Sequence, residues 1–126
     1  MMNAKQQPVA ILGLSDREDR YAFMAYTKLL QYGHTSLFGL SIKALNLPQI
    51  SCFNKIDDIP APVHTVTLYM GQAHTTPLIE KIIALKPNRI IFNPGTENEL
   101  LEIACSKAGI EVIHGCTLVM LSTDQF

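Results

Sequence analysis

The turn Gly13-Leu14-Ser15-Asp16-Arg17-Glu18-Asp19-Arg20-Tyr21 sets one glycine and one serine ahead of two arginines and the start of a helical apolar repeat. A strand that ends at such a glycine and passes into a helix aims free N–H groups and the positive end of the helix dipole at the turn, and both favour phosphate. The full G-x-G-x-x-G spacing is absent. A nicotinamide site would also want a carboxylate about 20 residues on, to hold the ribose hydroxyls. That region, Phe38-Gly39-Leu40-Ser41-Ile42-Lys43, has none, and Lys43 suits a ligand carrying a phosphate on its ribose. A second candidate is Phe92-Asn93-Pro94-Gly95-Thr96-Glu97-Asn98-Glu99, where Gly95 lets backbone approach a ligand and a helix start offers N–H donors. Each turn also reads as an ordinary connection. Arg17 and Arg20 suit a solvated surface, and Thr96 with Glu99 forms a capping box that closes the helix by itself.

Nucleophilic catalysis needs an activated residue beside a base. Cys116 with His114 two residues away is the candidate pair, giving either a small thiol-active enzyme or a protein that meets a ligand thiol in a mixed disulfide. A cysteine among Leu118, Val119 and Met120 equally reads as packed core. His34, His64, His74 and His114 show no metal-ligand spacing, so no metal is expected.

These residues must be positioned by alternating strands and helices. Val9–Leu12 is a continuous apolar run of a strand buried on both faces, stopping at Gly13. Residues 21–32 carry Ala22, Ala25, Tyr26, Leu29 and Leu30 at helical spacing, with Gly33 as the C-terminal cap. Residues 35–38 read as a second strand, followed by an exit loop over 39–43. Residues 44–62 read as a short helix and crossover broken by Pro48, Pro60 and Pro62. A third strand over 65–70 leads to a helix with Thr76 as N-cap and Pro77 in its first turn. A fourth strand follows over 89–93, then a helix closed by Gly109, a fifth strand over 111–113, and a packed tail or helical turn over 118–121. The pattern predicts an α/β fold, a doubly wound, mostly parallel five-stranded sheet in order 3-2-1-4-5 with ligands at the carboxyl ends of its strands. The turns at Gly13, Gly39, Met70 and Pro94 should therefore carry the function.

The 126 residues, 48% of them hydrophobic and 17% charged, suit one domain with its own core. A net charge of -1 gives no general field for nucleic acid or an anionic membrane. Within the first 43 residues, however, Lys5, Arg17, Arg20, Lys28 and Lys43 oppose only Asp16, Glu18 and Asp19. Cys52, Cys105 and Cys116, odd in number and widely spaced, fit the reducing cytoplasm. No signal-like segment and no apolar run of about 18 residues is present.

Taken in order, Ile11-Leu12-Gly13-Leu14-Ser15, Asp19-Arg20-Tyr21-Ala22, Tyr32-Gly33-His34, Asp58-Ile59-Pro60, Val66-Thr67-Leu68-Tyr69, Ile91 to Asn98 and Gly115 to Leu121 resemble the small stand-alone CoA-binding proteins. Those in turn look like the CoA-binding domain of the succinyl-CoA synthetase alpha subunit. The resemblance covers about residues 9–121 of a single domain spanning 1–126. It implies a Rossmann-like sheet with coenzyme A, or an acyl-CoA, across the turns after its strands. Carried over residue by residue, it assigns binding to Gly13, Ser15, Arg20, Tyr21, Lys43, Pro94, Gly95, Thr96, Glu97 and Asn98, and Leu14 and Met70, which stand in the same turns, join them as candidate binding residues. The expected partner is thus a small nucleotide ligand, with no metal and with protein partners open, and the expected role is a non-catalytic sensor or carrier. The chain departs from the family at Leu14, where Gly-Ala-Ser is usual, after the second strand, where Pro-Val-Asn-Pro is usual, and at Met70-Gly71-Gln72, where a proline is common. Such remodelled loops leave open a scaffold that has lost its ligand and acts through protein partners.

Overall fold

The computed structural model describes residues 3–126. Six parallel strands form one sheet, β1 (Val9–Leu12), β2 (Leu37–Leu40), β3 (Ser51–Phe53), β4 (Thr65–Leu68), β5 (Arg89–Phe92) and β6 (Glu111–His114), in order 3-2-1-4-5-6. The helices are α1 (Tyr21–Gln31), α2 (Gln72–Thr75), α3 (Ile79–Ala84), α4 (Glu99–Lys107) and α5 (Thr117–Ser122).

All four β1 residues are buried, and their alternation builds both sides of the molecule. Ala10 and Leu12 join Leu40, Val66, Leu68, Ile90 and Phe92 beneath α3 and α4, which contribute Ile82, Leu101 and Cys105. Val9 and Ile11 face the other way, against Ala22, Tyr26 and Leu29 of α1 and Leu121 of α5. A sheet covered by helices on both faces shields its parallel hydrogen bonds from water, hence the unbroken apolar run of β1. Burial pushes the Cys105 thiol up to about 11, the behaviour of a core residue.

The doubly wound α/β class holds, with six strands in place of the expected five. The added strand is β3, at one sheet edge within the stretch read as helix and crossover. It spans three residues with no buried face, so it shows no apolar alternation. It takes the edge position beside β2 that the expected order gave to the Thr65 strand, which becomes β4 and pairs with β1. The switch point thus lies between Val9–Leu12 and Thr65–Leu68.

Local boundaries also move. β2 runs to Leu40, so Gly39 lies inside the strand, and the exit is Ser41-Ile42-Lys43. The helical segment after β4 starts at Gln72 rather than at a Thr76 cap, and Pro77 sits in a 3-10 turn (Thr76–Leu78) between α2 and α3. Gly33 and Gly109, both at positive φ, follow α1 and α4 as expected.

The capping box at Thr96 and Glu99 does not form. Asn98 is the N-cap, its side-chain oxygen accepting from Leu101 N at 3.2 Å. Thr96 Oγ1 donates instead to Asn93 O at 2.8 Å, closing the turn one step earlier.

Candidate functional site

Two adjoining cavities, about 590 and 550 Å³, open at the carboxyl edge and share Gly13, Leu14, Ser41, Ile42, Tyr69 and Gly71. Each is of the size that takes a small ligand. The second is a cradle that Ser15, Arg17, Arg20, Tyr21 and Lys43 line, facing the Pro94–Thr96 turn.

Its floor depends on Gly13, whose φ is +99° and where a Cβ would stand 2.8 Å from Tyr69 O and 2.7 Å from Met70 Cγ. Only glycine lets β1 turn this closely past the end of β4. Ser15 Oγ accepts from Arg17 N at 3.1 Å and tightens the turn, while Arg17 pairs with Asp19 at 3.1 Å. Arg20 is the N-cap of α1 and supplies no side-chain cap. The first N–H groups of α1 therefore have no side-chain cap where Arg20, Tyr21 and Ala22 line the cradle. Across the cradle, Lys43 N donates to Ser41 Oγ at 3.1 Å, and Asn54 Nδ2 donates to Ser41 O and Lys43 O at 2.9 Å. The lysine thus rides on a braced loop.

The turn after β5 behaves differently. Gly95, at φ +89°, has nothing within 4 Å of a notional Cβ, so its backbone is open to a ligand. Its N–H, however, already donates to Glu97 Oε2 at 2.9 Å, and α4 is capped by Asn98. Glu97 and Asn98 do not line either cavity of the cleft. Asn98 is buried, and its Nδ2 donates to Thr75 Oγ1 at 2.8 Å and Thr76 Oγ1 at 3.0 Å. Below the turn, Asn93 Nδ2 donates to Thr67 Oγ1 at 2.8 Å and Leu68 O at 2.7 Å, and its Oδ1 accepts from Thr117 N at 2.9 Å. The other ten sequence-derived residues line the cleft, Met70 in the first cavity only.

The first cavity brings in residues that sequence reasoning missed. Asn54, Lys55, Ile56 and Asp57 reach it from the far end of β3, and His74, Leu78 and Lys81 from the segment after β4. A carboxylate does arrive there, since Asp57 pairs with Lys81 at 2.9 Å, and the lysine hydrogen bond holds its carboxyl below the usual range. Ile42, fully exposed, stands over both cavities. Tyr69 lines both as well; burial pushes its phenol up to about 12, so it stays protonated at neutral pH.

Cys116 is half-buried at the N-cap of α5 and lines no part of the cleft. Its candidate base, His114, pairs through Nε2 with Glu102 at 3.1 Å and stacks on Phe92. Among the described residues, no three or more His, Cys, Asp or Glu side chains gather as a metal would require. None of the helices described is long and apolar enough to cross a membrane.

The sequence profile of the CoA binding domain family matches residues 7–122. The chain belongs to that family. A protein of known crystal structure, described as uncharacterized, is 40% identical over 98% of this chain and 100% of its own, with a TM-score of 0.89. A hypothetical protein from Pyrococcus horikoshii OT3 is 20% identical, with 94% of this chain and 83% of that one covered and a TM-score of 0.84. The dinucleotide-forming acetyl-coenzyme A synthetase 1 of Ca. Korarchaeum cryptofilum, in complex with phosphate and ADP, is 19% identical, with 86% of this chain and 25% of that one covered and a TM-score of 0.72. The likeness to these last two is one of fold. No curated protein matches the chain.

Proposed function

We propose that the carboxyl-edge cleft of this family member binds coenzyme A or an acyl-CoA as a non-catalytic module, a sensor or a carrier. The observation that carries the reading is the uncapped start of α1, which opens on a cradle holding Arg17, Arg20 and Lys43. Of the two helix starts that the sequence offers for phosphate, α4 has a side-chain cap and α1 has none, so α1 is the one whose donors a diphosphate would satisfy.

In this reading Gly13 and Ser15 let the diphosphate approach the backbone, while Arg20 and the first N–H groups of α1 bind it. The adenine enters the larger, mainly apolar cavity between Leu14, Leu40, Ile42, Met70 and Leu78. Lys43 meets the ribose phosphate. Tyr21 and the Pro94–Thr96 turn, open at Gly95, flank the remaining arm. Bound coenzyme A would supply a thiol or thioester at the end of that arm. Glu97 and Asn98 serve at one remove, the first orienting Gly95 and the second capping α4. A reducing, cytoplasmic setting agrees with three unpaired cysteines.

The charge on Lys43 provides the test. Its side chain is exposed, so Lys43→Ala should fold normally and bind CoA about tenfold more weakly, while binding dephospho-CoA as before. An unchanged ratio between the two ligands in competition binding would remove Lys43 from the ribose phosphate.

A further inference from the structure

The amino edge of the sheet, opposite the cleft, carries a cluster that the proposed function leaves unused. A cavity of about 100 Å³ lies there, lined by His34, His64, Thr65, Arg89 and Phe126 among others. Thr65 and Arg89 open β4 and β5 and are register partners, while His34 stands just after α1, its backbone N bonded to Leu29 O at 3.0 Å.

Arg89 is fixed without being neutralised. Its Nε donates to Thr65 Oγ1 at 2.8 Å, an oxygen that also meets His64 Nδ1 at 2.8 Å, and its guanidinium lies 4.6 Å from the centre of the Phe126 ring. Among the described residues, no carboxylate lies within 4 Å of Arg89, and its terminal guanidinium nitrogens make no hydrogen bond. A guanidinium presents five donors, and the four on the terminal nitrogens of Arg89 have no protein partner and stay accessible to a ligand. The second unmatched group is His34, only 8% exposed, whose Nδ1 is buried with no partner. Its ring packs edge-on against the same Phe126 ring at 5.2 Å. Buried polar atoms are nearly always satisfied, and an ion is one of the ways in which that happens.

We propose that this pocket binds a small oxyanion, of carboxylate or phosphate type, between the terminal nitrogens of Arg89 and Nδ1–H of His34. The planar fork of arginine matches either class with two parallel hydrogen bonds. The size of the cavity limits the ligand to a few heavy atoms. Lys5 adds positive charge near His34, and Glu111, the exposed register partner of Arg89, is the carboxylate facing the group from β6. Burial first, then Lys5 and Arg89, lower the His34 pKa, so the ring is neutral near pH 7 and, as its Nδ1–H tautomer, donates to the anion from that nitrogen.

The test is an NMR titration of the 15N-labelled full chain with inorganic phosphate and, separately, with acetate, at ionic strength held constant by sodium chloride. The Arg89 Nε–H and His34 ring signals should shift saturably with at least one of the two, and which one responds assigns the class. The shifts should vanish in Arg89→Gln. Because that variant also loses the bond to Thr65 and could fail to fold, Arg89→Lys serves beside it, keeping the charge without the fork and weakening binding about tenfold. No saturable shift with either anion, the same shift with chloride alone, or unchanged affinity in Arg89→Lys would overturn the proposal. The readout sits on the opposite edge from the cleft, so its outcome is independent of coenzyme A binding.

Discussion

Leu14 and Gly39 occupy each other's space. Leu14 is buried, and a Cβ on Gly39 would stand 2.3 Å from its Cδ2 and 3.3 Å from its Cβ. The bulky residue in the first turn is thus accommodated by a missing side chain in β2. Gly39→Ala should cost about 1–3 kcal/mol through overpacking, and Leu14→Ala about 2–5 kcal/mol through the cavity it leaves. In the Leu14→Ala background the alanine at position 39 should cost nothing or recover stability, and additive denaturation energies would refute the pairing. The turn residues were legible because glycine, serine and arginine between a strand and a helix already state their chemistry. That Leu14 turns inward against Gly39 was not, because it depends on β2 running through Gly39 to Leu40.

Between elements, the polar side chains Asn93 and Asn98 hold the candidate site together. Asn93 ties the end of β5 to β4 and to the start of α5, and Asn98 ties α4 to the segment carrying α2 and α3. The sequence Thr96-Glu97-Asn98-Glu99 contains two acceptable N-caps, and the capping-box spacing favours the wrong one. Thr96 is already committed to Asn93 O, so the helix starts at the next available acceptor. Asn98→Ala should therefore lose the cap and both threonine contacts, costing roughly 2–4 kcal/mol, against about 1 kcal/mol for Thr96→Ala. Equal losses in chemical denaturation would return the cap to Thr96. The buried strand β1 announced itself as an apolar run, while β3 could not. Its three residues are held by pairing with β2 rather than by any pattern of their own, and with β3 went the Asn54–Asp57 wall of the first cavity.

At the scale of the molecule, the two edges of one sheet differ in character. The carboxyl edge gathers loops, open backbone and exposed cations, and the amino edge gathers half-buried Arg89 with His34 and His64. Burial first, and then positive neighbours, depress both histidines from 6.5, so the unfolded chain binds these protons more readily than the folded one. Their contribution is present above about pH 6.5 and is lost as pH falls through the lower folded values. In chloride and a zwitterionic buffer, the melting temperature should hold above pH 7 and decline from about pH 6.5 downward, with a smaller decline in His34→Gln; a flat profile to pH 5 would contradict the shifts. The alternation of strands with helices made the two-sided fold readable at this scale, and the fold in turn selected which turns converge. The central claim is that the carboxyl-edge cleft takes coenzyme A. It is tested most directly by calorimetric titration of the ligand-stripped protein with CoA, and with dephospho-CoA, NAD and ATP at the same salt. The account predicts saturable one-site binding of CoA, weaker binding of dephospho-CoA and weaker still of NAD; no heat with CoA, or equal affinity for CoA and NAD, would contradict it.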